Sequence, residues 1–192
     1  MVHGAEFSTD AVPAQARADH WNAVIARAYF PLDLTFRDAQ RFSGRLEMGN
    51  VGEVSLSRLQ TEAVQYERHR RHIAATTEEQ YLITIPRKSP VEFRQMGRDV
   101  RCDPGGFIIE RGDEPYRFAY GSANDLCVLK VAKPVLADKL RNPDRYCALV
   151  FNGRDGERLT EAQFNALKAE LGEAHAGAIN AGRPMVLEGG LD

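Results

Sequence analysis

The strongest constraint on the fold is a series of short alternating segments between residues 80 and 132, with no helical stretch among them. The segment QYLITI places Tyr81, Ile83 and Ile85 on one face of a strand, and VEFRQM, GFIIER, PYRFAY and DLCVLKV follow at short intervals. Turn sequences rich in glycine and proline separate the segments. This pattern predicts an antiparallel sandwich, jelly roll or barrel from about residue 33 to 132, and it argues against a parallel sheet.

Helical patterns flank the predicted strands. Residues 17–30 carry an apolar stripe with spacings of three, four and seven residues, and Pro31 ends the helix; the stripe is Trp21, Val24, Ile25 and Ala28. Helices return after Pro134, which suits a first helical position. We therefore predict three parts: a loose leader at residues 1–16, a helix plus barrel at 17–132, and a helical appendage at 133–192.

The appendage ends in an amphipathic helix over about residues 160–180. Apolar side chains recur every three or four residues along it, among them Phe164, Leu167, Leu171 and Ala178. Such a stripe has two interpretations. It forms a dimer contact through those four residues, or it packs on the barrel of its own chain.

Composition excludes several classes of function. The chain has 192 residues and a net charge of −2, so it has no bulk electrostatic attraction to nucleic acid or membrane. No apolar run approaches the roughly 20 residues of a membrane span. The cysteines Cys102, Cys127 and Cys147 are odd in number and widely spaced. They favour a reducing cytoplasm over a disulfide framework.

Catalytic and metal-binding patterns are weak. His69 and His72 form the only close histidine pair, and residues 73–174 contain no histidine to complete a metal site. The sequence has no nucleophile elbow and no phosphate-binding loop followed by Lys-Ser or Lys-Thr. We therefore expect no catalytic residue, no metal site and no cofactor.

An ordered set of segments between Trp21 and Phe151 resembles the sensor domain of AraC-type bacterial transcription regulators. The segments are YERHRRHI at 66–73, QYL at 80–82, FRQMGR at 93–98, CDPGGFIIE at 102–110 and EPYRF at 114–118. The early stretch VGEVSLSRL at 51–59 is similar to the opening strands of that family.

The resemblance implies a mainly β fold, a cupin-like antiparallel barrel or jelly roll with an N-terminal helix and C-terminal helices. It also implies a cytoplasmic, non-enzymatic domain that senses a small organic effector and forms a homodimer. The family's paired helix-turn-helix units do not fit before Asp192. DNA would be contacted only through a missing C-terminal domain.

The basic run Arg68-His69-Arg70-Arg71-His72 is the most notable charge cluster. If the run is a strand, Arg68, Arg70 and His72 share one face. One interpretation places a guanidinium of this set inside the barrel, paired with an anionic effector. The other is a solvated edge strand whose charges prevent aggregation.

Candidate ligand-binding residues combine this face with alternating strand positions. They are Arg68, Arg70, His72, Tyr81, Ile83, Phe93, Gln95, Tyr116 and Phe118. An alternative is that the same side chains fill a small barrel. Two rival functions stay open: a metal-dependent cupin enzyme, and a stand-alone truncated regulator that acts by hetero-association.

Overall fold

The alternating segments form two antiparallel sheets in the computed structural model, which describes residues 4–77 and 79–152. The larger sheet has seven strands in the order β1-β3-β4-β11-β6-β9-β12. Their bounds are β1 Ala5–Ser8, β3 Gly44–Val51, β4 Val54–Thr61, β11 Asn124–Ala132, β6 Gln80–Pro86, β9 Gly106–Arg111 and β12 Val150–Asn152. The smaller sheet has the order β2-β5-β10-β7-β8. Its bounds are β2 Asp33–Phe36, β5 Val64–Arg68, β10 Tyr116–Tyr120, β7 Val91–Gln95 and β8 Arg98–Cys102.

The main core lies where the two sheets face each other, and helix α1 (Arg17–Ala28) packs into it. The predicted stripe of α1 is confirmed, because Trp21, Val24, Ile25 and Ala28 are all buried. The jelly-roll class predicted from the strands is also confirmed, since every paired strand among the described residues is antiparallel.

Two local predictions are wrong. Residues 5–8, assigned to a loose leader, form the edge strand β1, which pairs Phe7 with Leu46 of β3. The basic run does not continue as a strand, because β5 ends at Arg68 and helix α2 (Arg70–Ala74) begins two residues later. The His69 amide donates to His72 Nδ1 at 3.2 Å, a bond across the first turn of α2 that favours helix over strand.

A second core covers the other side of the larger sheet. Helix α3 (Lys133–Lys139), a 3-10 turn (Pro143–Tyr146) and β12 carry apolar side chains onto this side. Tyr81, Ile83 and Ile85 point into this second core. Strand β6 is therefore buried on both faces, which explains its nearly continuous apolar sequence.

Gly44 lies against the indole ring of Trp21. A Cβ atom on Gly44 would come within 2.9 Å of a ring carbon that is fully buried. We expect Gly44→Ala to destabilise the fold by about 1–3 kcal/mol, because the helix must shift to relieve the overlap. Urea denaturation measures this loss.

Gly121→Ala is the matched control. A Cβ atom there meets nothing within 4 Å, so we expect a change within about 0.5 kcal/mol. Equal losses in the two variants would show that Trp21 is not packed as described.

Candidate ligand-binding cavity

A small cavity lies between the two sheets, beside the end of α1. Its volume is about 40 Å³, room for roughly three water molecules. Four aromatic side chains line it: Tyr29, Tyr66, Tyr116 and Phe118. Leucine, isoleucine and valine side chains form most of the rest of the wall. The interior is thus mostly filled by side chains, with a confined apolar space beside α1.

Glu110 and Thr84 are the polar exceptions in this wall. Strand β9 directs Phe107 and Ile109 into the second core, and the alternating positions Ile108 and Glu110 lie on the cavity side. Glu110 is 3% exposed, and the Thr84 hydroxyl donates a short hydrogen bond to its Oε1. Burial raises the pKa of Glu110 to about 8, although the bond from Thr84 acts in the opposite direction. At neutral pH the carboxyl group therefore keeps its proton in most molecules.

Neighbouring hydroxyls hold two of the three phenol groups in the cavity wall, those of Tyr29 and Tyr66. The Tyr29 hydroxyl lies 2.6 Å from Ser57 Oγ, and Ser57 Oγ donates to the Val128 carbonyl at 3.2 Å. Since Ser57 has one hydroxyl proton, Tyr29 is the donor of the first bond. The Tyr66 and Tyr120 hydroxyls lie 3.3 Å apart. These bonds fix the rings at the cavity.

The structure places the predicted ligand-binding residues in several different environments. Tyr116 and Phe118 line the cavity. Phe93 packs against both rings, at centroid distances of 5.7 Å and 6.2 Å, and lies outside the lining. Gln95 is buried and bonds the backbone of Arg111 in both directions, at 2.8 Å and 3.0 Å.

Tyr81 and Ile83 do not share this face. Both belong to the second core, so the expectation that they alternate onto one face with Phe93 and Tyr116 is wrong. The prediction assumed that β6 has one buried face, whereas both of its faces are buried.

Arg68 is buried, and its guanidinium donates hydrogen bonds to uncharged oxygen atoms. It is 2% exposed, its Nε donates to the Gly112 carbonyl at 2.7 Å, and one Nη donates to the Pro31 carbonyl at 2.9 Å. The other Nη lies 3.3 Å from Thr76 Oγ1, and the guanidinium carbon is 4.0 Å from the centre of the Phe30 ring. Burial lowers the pKa of this guanidinium. Arg68 therefore fastens three loops beside the barrel and does not line the cavity.

Arg70 and His72 lie away from the cavity on α2. Arg70 is exposed, whereas His72 Nε2 lies 3.2 Å from Asp33. His69 Nε2 lies 3.2 Å from the other oxygen of the same carboxylate, and Arg71 also contacts it. The Arg71 guanidinium holds the pKa of Asp33 below its usual range, and burial lowers that of His72. The contacts of these three side chains with Asp33 hold α2 against β2. Within residues 4–77 and 79–152, no group of three His, Cys, Asp or Glu side chains is placed to hold a metal ion.

An ionic network joins the barrel to the chain segment after β11. Arg111, next to Glu110 on β9, lies 2.8 Å from Asp113 and 3.2 Å from Asp144 in the 3-10 turn. Lys133 at the start of α3 contacts the same Asp113. Burial raises the pKa of Asp113, but hydrogen bonds from Arg111 and Lys133 outweigh it and lower that pKa to about 2. Glu110 therefore lines the cavity, and the next residue of β9, Arg111, contacts the 3-10 turn that follows α3.

The cavity residues Glu110, Thr84, Tyr29 and Tyr66 are not among the ligand-binding residues predicted from the sequence. A signal for Glu110 was present in GFIIER, where apolar residues occupy both faces of the strand. A strand with two apolar faces is buried on both sides, and its glutamate is then buried as well.

Comparisons with known proteins identify a family. A family model described as an AraC-binding-like domain matches residues 21–188. A curated relative from Bacillus sp. (strain OxB-1), an uncharacterised protein in the nit 5′ region, is 23% identical over 145 residues. That match covers 76% of this chain and 56% of the relative, so the chain spans little more than half of the relative's length.

A solved structure has the same fold. The crystal structure of the AraC-like transcriptional activator CuxR matches with a TM-score of 0.69 and 19% identity, over 96% of this chain and 69% of that one. Separately, no helix in the described part of the chain is long and apolar enough to cross a membrane.

Proposed function

The chain belongs to the AraC-binding-like domain family, and we propose that it is the effector-sensing, dimerising domain of an AraC-type transcription regulator. It binds a small organic effector and catalyses no reaction. It works in the cytoplasm as a homodimer, and the regulator reaches DNA through a C-terminal helix-turn-helix domain. The cavity between the sheets carries the proposal. Apolar walls with a few placed polar groups are the usual composition of a small-molecule site.

Strand β9 offers a route from the cavity to the C-terminal elements. Glu110 lines the cavity, Arg111 holds the turn that contains Asp144, and the Ala148 amide donates to the Ile109 carbonyl at 2.9 Å. A ligand that displaces Glu110 changes the position of the strand that holds these contacts. Such a signal can be no larger than the difference in the ligand's affinity for the two states.

Self-association is proposed through the predicted late helix. Its residues Phe164, Leu167, Leu171 and Ala178 lie outside the described residues, so their role stays a prediction.

A thermal-shift screen of small organic acids, amines and aromatics tests effector binding. We expect some compounds to raise the melting temperature, because a ligand that binds only the folded state stabilises it. Val128 lines the cavity, so Val128→Leu removes space there and should abolish the shifts. The same compounds should slow hydrogen exchange at the Ala148 amide.

Val131→Leu is the matched control, because Val131 lies on the same strand in the second core. It should keep the wild-type shifts. A screen without responses, or equal responses in both variants, would contradict effector binding in the cavity.

A further inference from the structure

The ionisable groups that line the cavity favour one sign of ligand charge. Glu110 is the sole carboxyl group among the described residues that line the cavity, and none of those lining residues is Lys, Arg or His. Arg68 is the one buried arginine among the described residues, and its guanidinium donates to the Gly112 and Pro31 carbonyls. An anionic ligand would meet a carboxyl group here and no cation to neutralise it.

The remaining wall suits a positive charge. Four aromatic rings surround a small volume, and the face of an aromatic ring carries negative potential that attracts cations. The hydroxyls of Tyr29 and Tyr66 are already bonded to neighbouring hydroxyls, so these rings present apolar surface to a ligand. Aromatic cages of this kind bind organic ammonium groups.

We propose that the cavity binds an organic ammonium cation, with Glu110 as its counter-ion and the rings of Tyr29, Tyr66, Tyr116 and Phe118 as its walls. This inference rests on the proposed function and narrows its effector to one chemical class. The volume of about 40 Å³ favours a compact head group. On binding, Glu110 releases its proton to solvent, and the ligand keeps its own charge.

Because Glu110 releases a proton when the cation binds, the affinity for the cation depends on pH. The groups that face Glu110 are the Thr84 hydroxyl and the phenols of Tyr29, Tyr66 and Tyr116. Burial raises the pKa of all three phenols, so they stay neutral between pH 6 and pH 8. The ammonium cation should therefore bind more tightly at pH 8 than at pH 6, because less work is needed to ionise Glu110.

Isothermal titration of the full chain with ethylammonium and with ethanol tests the inference. The two probes are small enough for a cavity of about 40 Å³, are close in shape, and differ by one positive charge. At pH 8 we expect ethylammonium to bind at least about tenfold more tightly than ethanol. Glu110→Gln keeps a hydrogen-bond acceptor for Thr84 and should remove that preference.

Glu92→Gln is the control, since Glu92 is exposed on β7 and lies outside the cavity lining. It should bind ethylammonium as the wild type does. The inference is overturned if ethylammonium does not bind, if ethanol binds equally well, or if Glu110→Gln keeps the preference. If Glu110→Gln fails to fold, the wild-type affinities for ethylammonium at pH 6 and pH 8 decide: an unchanged affinity overturns the inference. Neutral compounds that bind in the cavity while ethylammonium does not would contradict the ammonium class and leave effector sensing intact.

Discussion

The free energy of unfolding should fall by up to about 4 kcal/mol between pH 5 and pH 9 because of Glu110 alone. In the folded state burial raises the pKa of this carboxyl from 4.5 to about 8. Between these values the unfolded chain has lost the proton and the folded chain still holds it. The stabilising contribution is therefore complete below about pH 4.5, and it disappears as the pH rises through about 8.

Urea denaturation at several pH values, with Glu110→Gln beside the wild type, isolates this contribution. The variant cannot ionise, so its stability should stay higher at pH 9, and the difference between the two curves should close toward pH 5. Subtracting the curve of the variant from that of the wild type removes the contributions of the other titratable groups. For example, the lowered pKa of His72 makes a contribution that grows as the pH rises. Glu92→Gln should reproduce the wild-type curve. Parallel curves for the wild type and Glu110→Gln would show that Glu110 is solvated.

Replacement of Arg68 should be the most damaging change at a charged residue. Arg68→Met removes the donors to the Gly112 and Pro31 carbonyls and to Thr76. A buried carbonyl without a partner, as at Gly112, costs about 1–3 kcal/mol, and the part-buried Pro31 carbonyl adds less, whereas the loss of a desolvated guanidinium offsets part of this. We expect a net loss of about 1–3 kcal/mol in urea denaturation.

Arg68→Lys should fall between the wild type and Arg68→Met, because one ammonium group cannot reproduce the planar fork of donors. Arg70→Met is the matched control. Arg70 is exposed two residues away, and its replacement should change stability by less than about 0.5 kcal/mol. Similar losses at positions 68 and 70 would contradict the fastening role of Arg68.

Periodic patterns were enough to predict the main elements of the fold. The stripe of α1 and the alternation of β7 and β10 each describe one buried face, and each was located correctly. Strand β6 was harder, because both of its faces are buried and alternation does not show which face borders the cavity. The same ambiguity placed Tyr81 and Ile83 beside Tyr116, from which the larger sheet separates them.

The polar residues of the candidate site were harder to predict. Among the basic run, Arg68 was identified as an inward candidate, but its acceptors are carbonyls from loops distant in sequence. The residues after His69 form helix α2, and a hydrogen bond from the His69 amide to His72 belongs to its first turn. Glu110 escaped notice because a single glutamate in a strand usually marks a solvent-facing position. The packing of the smaller sheet and α1 against the cavity side of β9 buries that position.

The carbon-13 carboxyl shift of Glu110, followed by NMR and assigned by its loss in Glu110→Gln, tests most directly whether a neutral acid lies in the cavity. We predict a titration midpoint near pH 8 in the free protein, and an ionised carboxyl at pH 7 once ethylammonium is added. A midpoint near the ordinary value of 4.5, unmoved by ethylammonium, would contradict both the buried acid and the site built around it.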